Sequence, residues 1–386
     1  MEAKGRSGRM NLKPVFISDI NCVTPLGFDL LINVEELYAG KSAIQKHESG
    51  RLMPEQFFAA IIDEYSLDAA FSNISGNNSY SKLEKMMILA LHPLVDKLTI
   101  GDRTGFILST TKGNINALSD SIDGASKAEL HQLAVTVASF FGITTEPIVI
   151  SNACVSGIMA LSVAKRLIQA DMYDEIYVIA GDEVTEFVLS GFSSFQAMSA
   201  EPCKPYSINR SGVTIGEAAA AARVTAESHS ALVKICGDGS INDANHISGP
   251  SRTGEGLYLS IISALKESGL DASNIDFISA HGTATSFNDE MEAVAFNRLN
   301  LQNVPVNSLK GYFGHTLGAS GLLETVLSIA AVQNGKLFAS HGFDESGVSM
   351  PLSILKQNAE AEVRNFLKTA SGFGGCNTAV VFSKVD

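Results

Sequence analysis

Two stretches of this chain repeat one local order, and the repetition restricts the folds open to it. In the first half, TGFILSTTKG at 104–113 is an apolar run followed by a polar turn. PIVISNACVSGIMAL at 147–161 is an apolar run, a polar turn, small residues, then apolar residues at helical spacing. In the second half, DFISAHGTAT at 276–285 and VPVNSLKGYFGHTLGASGLL at 304–323 give the same two patterns in the same order. Short apolar runs bounded by turns fit buried strands, and apolar residues at helical spacing fit amphipathic helices. Strands that alternate with helices form parallel sheets covered by helices. The economical reading is a duplicated α/β unit, with residues 11–229 as one half and 230–386 as the other, both contributing to one site. Identity between the repeats is weak, so two unrelated α/β domains stay open at this point.

Along the chain, the spacing predicts strands over 14–18, 104–109, 147–150, 176–180, 232–237, 275–280, 304–307 and 378–383. Helices are predicted over 30–38, 82–98, 126–141, 158–165, 254–269, 289–299 and 317–333. Ser126 is a plausible N-cap and Gly269 a stop signal. Residues 41–81 look irregular, 191–211 read as a long loop, and glycine-rich turns fall at 308–316 and 371–375.

Composition narrows the function. The 386 residues are 45% hydrophobic and 18% charged, so two or three domain-sized units share a large core and a comparatively small polar surface. A net charge of −13 argues against nucleic-acid binding, which needs a basic surface. The cysteines at 22, 154, 203, 236 and 376 are scattered, odd in number and without a CxxC pair, which speaks against a disulfide framework or a zinc site. The basic start, MEAKGRSGRM, is not followed by a long apolar region, and no run reaches the roughly 18 apolar residues of a membrane helix. The expectation is a cytoplasmic protein, with no membrane partner and a disordered lead before about residue 11.

Three turns carry candidate chemistry. Cys154 sits between a strand and a helix, where unpaired N–H groups and the helix dipole favour thiolate. On position alone, a buried, inert thiol is the commoner reading of one cysteine. His281 directly follows a strand, and His315 shares a glycine-rich turn with Lys310. No GxxxxGK[ST] or GxGxxG phosphate loop fits. The third turn is GFGG at 372–375.

Taken together, these turns resemble those of the β-ketoacyl-acyl carrier protein synthases, the elongating Cys-His-His type on the thiolase fold. The motifs are VTPLG at 23–27, AGKSAI at 39–44, NACVSG at 152–157, KPY at 204–206, IGE at 215–217, HISGP at 246–250 and GEG at 254–256. HGTATSFND at 281–289, KGYFGHTLGASG at 310–321 and GFGG complete the set. The resemblance implies an α/β fold of duplicated halves in five layers, αβαβα. It implies that Cys154 accepts the acyl chain and that His281 and His315 promote decarboxylation of a malonyl thioester. Lys310 and Glu324 would organise the histidine side, Phe373 would gate the site, and Thr283 and Thr285 would line the pantetheine channel. The N–H groups of Cys154 and Phe373 would form the oxyanion hole.

By the same resemblance, no cofactor or metal is needed beyond the phosphopantetheine of an acyl carrier protein. The carrier would dock on Lys82, Lys85, Lys127 and Lys204, and the enzyme would be a homodimer, with a heterodimer open. The chain departs from the family at Ser211 and Val213, where an acidic residue and Phe are usual, and in GEAAA at 216–220. It is also shorter between 41 and 151, so chain-length preference is less legible than the chemistry. Two other readings compete with it: a non-catalytic chain-length-determining subunit, which typically lacks the cysteine, and a thiolase or starter-type synthase, which the second histidine disfavours.

Overall fold

The computed structural model describes residues 12–77, 79–95, 100–119, 124–244 and 249–385. The expected lead and the His246-Ile247-Ser248 part of one motif lie outside them. The first half runs β1 (Phe16–Val23), α1 (Leu30–Tyr38), β2 (Gln45–His47), β3 (Phe57–Ala60), α2 (Glu64–Ser72), α3 (Lys82–Val95), β4 (Thr104–Ser109), α4 (Gly124–Ala128), α5 (Leu130–Phe140), β5 (Ile148–Ile150), α6 (Ser156–Gln169), β6 (Glu175–Asp182), α7 (Glu186–Ser194), β7 (Ile215–Gly216) and β8 (Ala218–Thr225). The second runs β9 (Val233–Asn242), α8 (Glu255–Ser268), β10 (Phe277–Ser279), α9 (Ser286–Arg298), β11 (Pro305–Asn307), α10 (Lys310–Phe313), α11 (Ser320–Gln333), β12 (Lys336–Leu337), β13 (Ser353–Ile354), β14 (Ala359–Glu360), β15 (Asn365–Gly372) and β16 (Cys376–Lys384).

Among the described residues, eleven strands form one sheet, in the order β13-β11-β10-β15-β16-β9-β1-β8-β6-β4-β5. The run β5-β4-β6-β8-β1 corresponds strand for strand to β11-β10-β15-β16-β9. The senses correspond too. β4 is parallel to β5 and β6, as β10 is to β11 and β15. β8 is antiparallel to β6 and β1, as β16 is to β15 and β9. The sheet is therefore mixed, a correction to the parallel expectation. The two runs join where Phe16 and Ile17 pair with Lys234 and Val233.

Side chains alternate across the strands and so divide into three cores. Ile176, Val178 and Ala180 of β6 and Phe366 and Ala370 of β15 face a central core with α6 and α11. Tyr177 and Ile179 face α3 and α5 on one outside, and Leu367, Ala379 and Val381 face α8 and α9 on the other. The layers are thus αβαβα, with α6 and α11 in the middle. No helix among the described residues is long and apolar enough to cross a membrane.

The two middle helices touch at their N-terminal ends. A Cβ on Gly157 would lie 2.7 Å from the Gly318 carbonyl oxygen, and one on Gly321 2.6 Å from the Ile158 nitrogen. Contacts that short do not occur between unshifted atoms, so only small residues permit this approach. It brings the turn of Cys154 against the turn of His315.

Several boundaries differ from the sequence reading. The stretch 41–81 is not irregular but holds β2, β3 and α2. The helix expected over 126–141 breaks at Glu129, whose backbone is extended, so Ser126 lies inside α4 and caps nothing. The first residues of the expected 191–211 loop belong to α7. β8 and β15 had no counterpart in the reading.

Candidate active site

Cys154 precedes α6 by one turn residue, and Ala153 before it adopts φ 44°. Ala284, between Thr283 and Thr285, and Leu317, two residues after His315, also have positive φ, 62° and 52°. Non-glycine residues in this region cost roughly 1–3 kcal/mol each and cluster at functional sites. Here they aim three turns at one cavity of about 360 Å³, lined by Cys154, His281, His315, Thr283, Thr285 and Phe373 among others. The Cys154 sulfur and one ring nitrogen of each histidine all lie within 4.8 Å of one another. The two imidazoles meet edge to face at 5.2 Å.

The hydrogen-bond network assigns both tautomers. His315 Nδ1 accepts the Leu317 N–H at 3.2 Å and lies 2.9 Å from Ser320 Oγ. His281 Nδ1 lies 3.3 Å from the Lys310 ammonium, which can only donate. In both rings the proton therefore sits on Nε2, the nitrogen left for the cavity. Burial, then the Lys310 charge, holds both imidazoles well below their ordinary pKa, so they are neutral.

Beneath them lies a buried ionic network. Lys310 Nζ reaches Glu324 Oε1 at 2.5 Å and the His281 carbonyl at 2.6 Å. The structure thus brings Lys310 and Glu324 together below His281. Glu324 Oε2 pairs with Lys368 at 2.7 Å, a residue the sequence reading missed. Asp289 and Glu292 were missed as well. Glu292 accepts the His281 and Gly282 N–H groups at 2.8 and 2.7 Å, and Asp289 accepts the Thr283 N–H at 2.9 Å. Burial pushes the Asp289 carboxyl up to about 7. The available signal was their i,i+3 spacing, which puts two acids on one helix face beside the histidine turn.

The thiol does not behave as its position before a helix suggested. Burial pushes Cys154 up to about 12, against a modest lowering by Lys310 and by the Phe373 N–H that points at the sulfur. Desolvation of a thiolate outweighs the helix dipole here. Cys154, His281 and His315 are also grouped closely enough to hold a metal ion. Near neutral pH, iodoacetamide is expected to alkylate half-buried Cys236 ahead of Cys154, with the Cys154 rate climbing as pH rises. Peptide mass mapping of a timed reaction checks this. Cys154 labelling first near neutral pH would show a depressed thiol instead.

Gly374 and Gly375, at φ 87° and 76°, turn the chain so that Phe373 stands at the cavity mouth. Its ring lies 5.7 Å from Phe192 and 5.5 Å from Phe195. The Thr283 and Thr285 hydroxyls lie 2.8 Å apart on the cavity wall, and Ser211 and Val213 line the same cavity.

The four lysines expected on a docking surface do not share one fate. Lys82 is mostly buried and pairs at 2.5 Å with fully buried Glu217, and Lys85 is buried and pairs with Asp68 at 2.6 Å. Their charges are neutralised within the fold, so both leave the docking set. Lys127 is exposed, and Lys204 is half-exposed, 3.8 Å from Glu201.

Comparison with known proteins gives one consistent answer. The β-ketoacyl synthase N-terminal domain matches residues 12–229, and the β-ketoacyl synthase C-terminal domain matches 232–344. A Schizosaccharomyces pombe protein classed as a mitochondrial 3-oxoacyl-[acyl-carrier-protein] synthase is 27% identical over 97% of this chain and 99% of its own. The mitochondrial 3-oxoacyl-[acyl-carrier-protein] synthase of Arabidopsis thaliana is 31% identical over 61% of this chain and 55% of its own. Among solved structures, a β-ketoacyl synthase from Burkholderia phymatum superposes with a TM-score of 0.85 at 23% identity, covering 97% of this chain and 100% of that one. The ishigamide ketosynthase/chain length factor superposes at 0.87 with 20% identity, with the same coverage. The chain belongs to the β-ketoacyl synthase family, a family of condensing enzymes on the thiolase-like fold.

Proposed function

We propose that this chain is a 3-oxoacyl-acyl carrier protein synthase that joins an acyl group on Cys154 to a malonyl group on a carrier. One observation carries the reading: a thiol and two neutral imidazoles, each presenting Nε2–H, converge within 4.8 Å at the floor of a cavity. Loading forms the C–S bond to Cys154 and breaks the C–S bond to the carrier, and the proton of the Cys154 thiol passes to the departing carrier thiolate. The malonyl thioester then loses its carboxylate as CO2. The electrons of the broken C–C bond form an enolate, whose oxygen accepts from the two Nε2–H groups. The enolate carbon attacks the Cys154 thioester carbonyl. Its oxygen is held by the N–H groups of Cys154 and Phe373 until the C–S bond breaks, and the departing thiolate takes up a proton. Thr283 and Thr285 face the pantetheine arm, and Phe373 covers the mouth.

Carrier docking falls to Lys127 and Lys204, the two candidates whose ammoniums reach solvent. The outer edge of β5 has no strand beside it among the described residues, which supports pairing with a second copy or a related subunit. Retention of Cys154 disfavours a purely chain-length-determining role.

Intact-protein mass spectrometry with a panel of acyl carriers tests the reading. One acyl mass is expected on the protein, lost on adding malonyl carrier as CO2 and a 3-oxoacyl carrier form. An acyl adduct that malonyl carrier leaves untouched would overturn it.

A further inference from the structure

Lys368 lies in the middle of β15, fully buried, and its ammonium has four partners. It pairs with Glu324 at 2.7 Å and donates to the carbonyls of Thr369 at 2.6 Å, Ser279 at 3.2 Å and Ala280 at 3.4 Å. Lys310 holds the next carbonyl, that of His281. The two ammoniums therefore grip three successive carbonyls, residues 279 to 281, where β10 delivers the histidine. They also share one carboxylate, an uneven ratio for a buried network, where each charge normally needs its own partner.

We propose that Lys368 is a positioning residue for the histidine pair: it clamps the backbone that delivers His281 and, by sharing Glu324 with Lys310, places a second positive charge beneath the two imidazoles. That charge opposes protonation of either ring and favours an anion forming above them. The proposal rests on the reading above in one respect, that the imidazoles act as neutral donors.

The groups around the rings fit this assignment. Lys310 faces them from α10, Glu324 from α11, Lys368 from β15 and the neutral Cys154 thiol from the turn before α6. On α9, Asp289 and Glu292 are directed at backbone N–H groups of the 281–283 turn. Asp182, at the end of β6, is held by Thr110, Thr111 and the Gly318 N–H. Nearby Tyr206, Cys203 and Cys376 are kept neutral by burial. Both imidazoles are lowered by Lys368 as well as by Lys310.

Lys368→Gln keeps an amide that can donate but removes the charge. Histidine titration, followed by NMR of the 13C-labelled protein, is the main readout, and the acid limb of malonyl-carrier decarboxylation is the second. Losing a nearby positive charge raises an imidazole pKa. Both the His281 midpoint and the acid limb are therefore expected to move up by about one pH unit. Lys368→Met, apolar and of similar length, gives the same readout if the amide is not accommodated. The wild type supplies a check that needs no variant: at about pH 5 both rings are expected neutral, with the proton on Nε2. An unmoved midpoint in a folded variant, or an imidazolium in the wild type at about pH 5, overturns the proposal. A wild type that releases no CO2 refutes the proposed function instead, and the NMR titration still decides the role of Lys368.

Discussion

A Cys154→Ala variant takes up no acyl group from an acyl carrier, yet still releases CO2 from malonyl carrier. The first half follows from the inventory of the cavity. Cys154 is the one sulfur whose position is shared with both histidines. Cys376 stands nearby, but its sulfur is directed to the Phe373 and Asn152 carbonyls. Cys203 donates to the Lys310 carbonyl, and Cys22 is fully buried. Condensation is expected to fall on the order of 10⁴-fold or more, the scale seen when a covalent nucleophile is removed. The second half follows from the separation of the two partial reactions. The Nε2–H groups are fixed by Lys310, Leu317 and Ser320, none of which depends on the thiol. Intact mass after incubation with acyl carrier measures loading, and CO2 release measures decarboxylation. A normal acyl adduct on the alanine variant would remove Cys154 from the mechanism. Loss of both activities in a folded variant would mean the histidine pair needs the thiol in place.

The chemistry was more legible in the sequence than the scaffold that aims it. The strand-turn-helix repeats correctly pair β4 with β10 and β5 with β11, and those strands end in the turns that carry the site. β8 was invisible for a physical reason. Its five consecutive alanines have high helix propensity and no alternation, yet α3 packs on one face of the strand and α11 on the other. Small residues suit a strand covered on both sides, and propensity carries no information about what covers it. β15 was hidden by Lys368 and Thr369, polar residues that interrupt an apolar run. Only the fold reveals that Glu324, 44 positions earlier, waits for that ammonium. The misreading of Lys82 and Lys85 has the same origin. A lysine in a net-acidic chain reads as surface charge, and Glu217 and Asp68 reach them only through tertiary contacts. The thiol was misjudged because the turn before α6 was visible and its burial was not.

His315→Ala is expected to leave loading of Cys154 largely intact and to slow decarboxylation by about 10²–10³, the usual cost of removing one preorganised donor from a developing anion. The ring is held from both sides, which is why its loss should stay local. Its backbone N–H donates to Thr214 and its carbonyl accepts from Gly216, so the turn remains stitched to β7 without the side chain. The Leu317 N–H does lose its acceptor, at roughly 1–3 kcal/mol for a group left buried and unpaired, whereas the Ser320 hydroxyl keeps Thr316 Oγ1 at 3.1 Å. A thermal melt separates that cost from a catalytic one. His315→Gln separates donor from base. A glutamine amide can point an N–H into the cavity but cannot take up a proton, so partial recovery of CO2 release over the alanine variant identifies a donor. Equal loss in both variants, with loading preserved, would identify a base. Failure of loading with decarboxylation intact would exchange the roles of the thiol side and the histidine side. The tautomer makes the first result the expected one, because Nδ1 is already an acceptor and the only proton the neutral ring can offer is the one on Nε2.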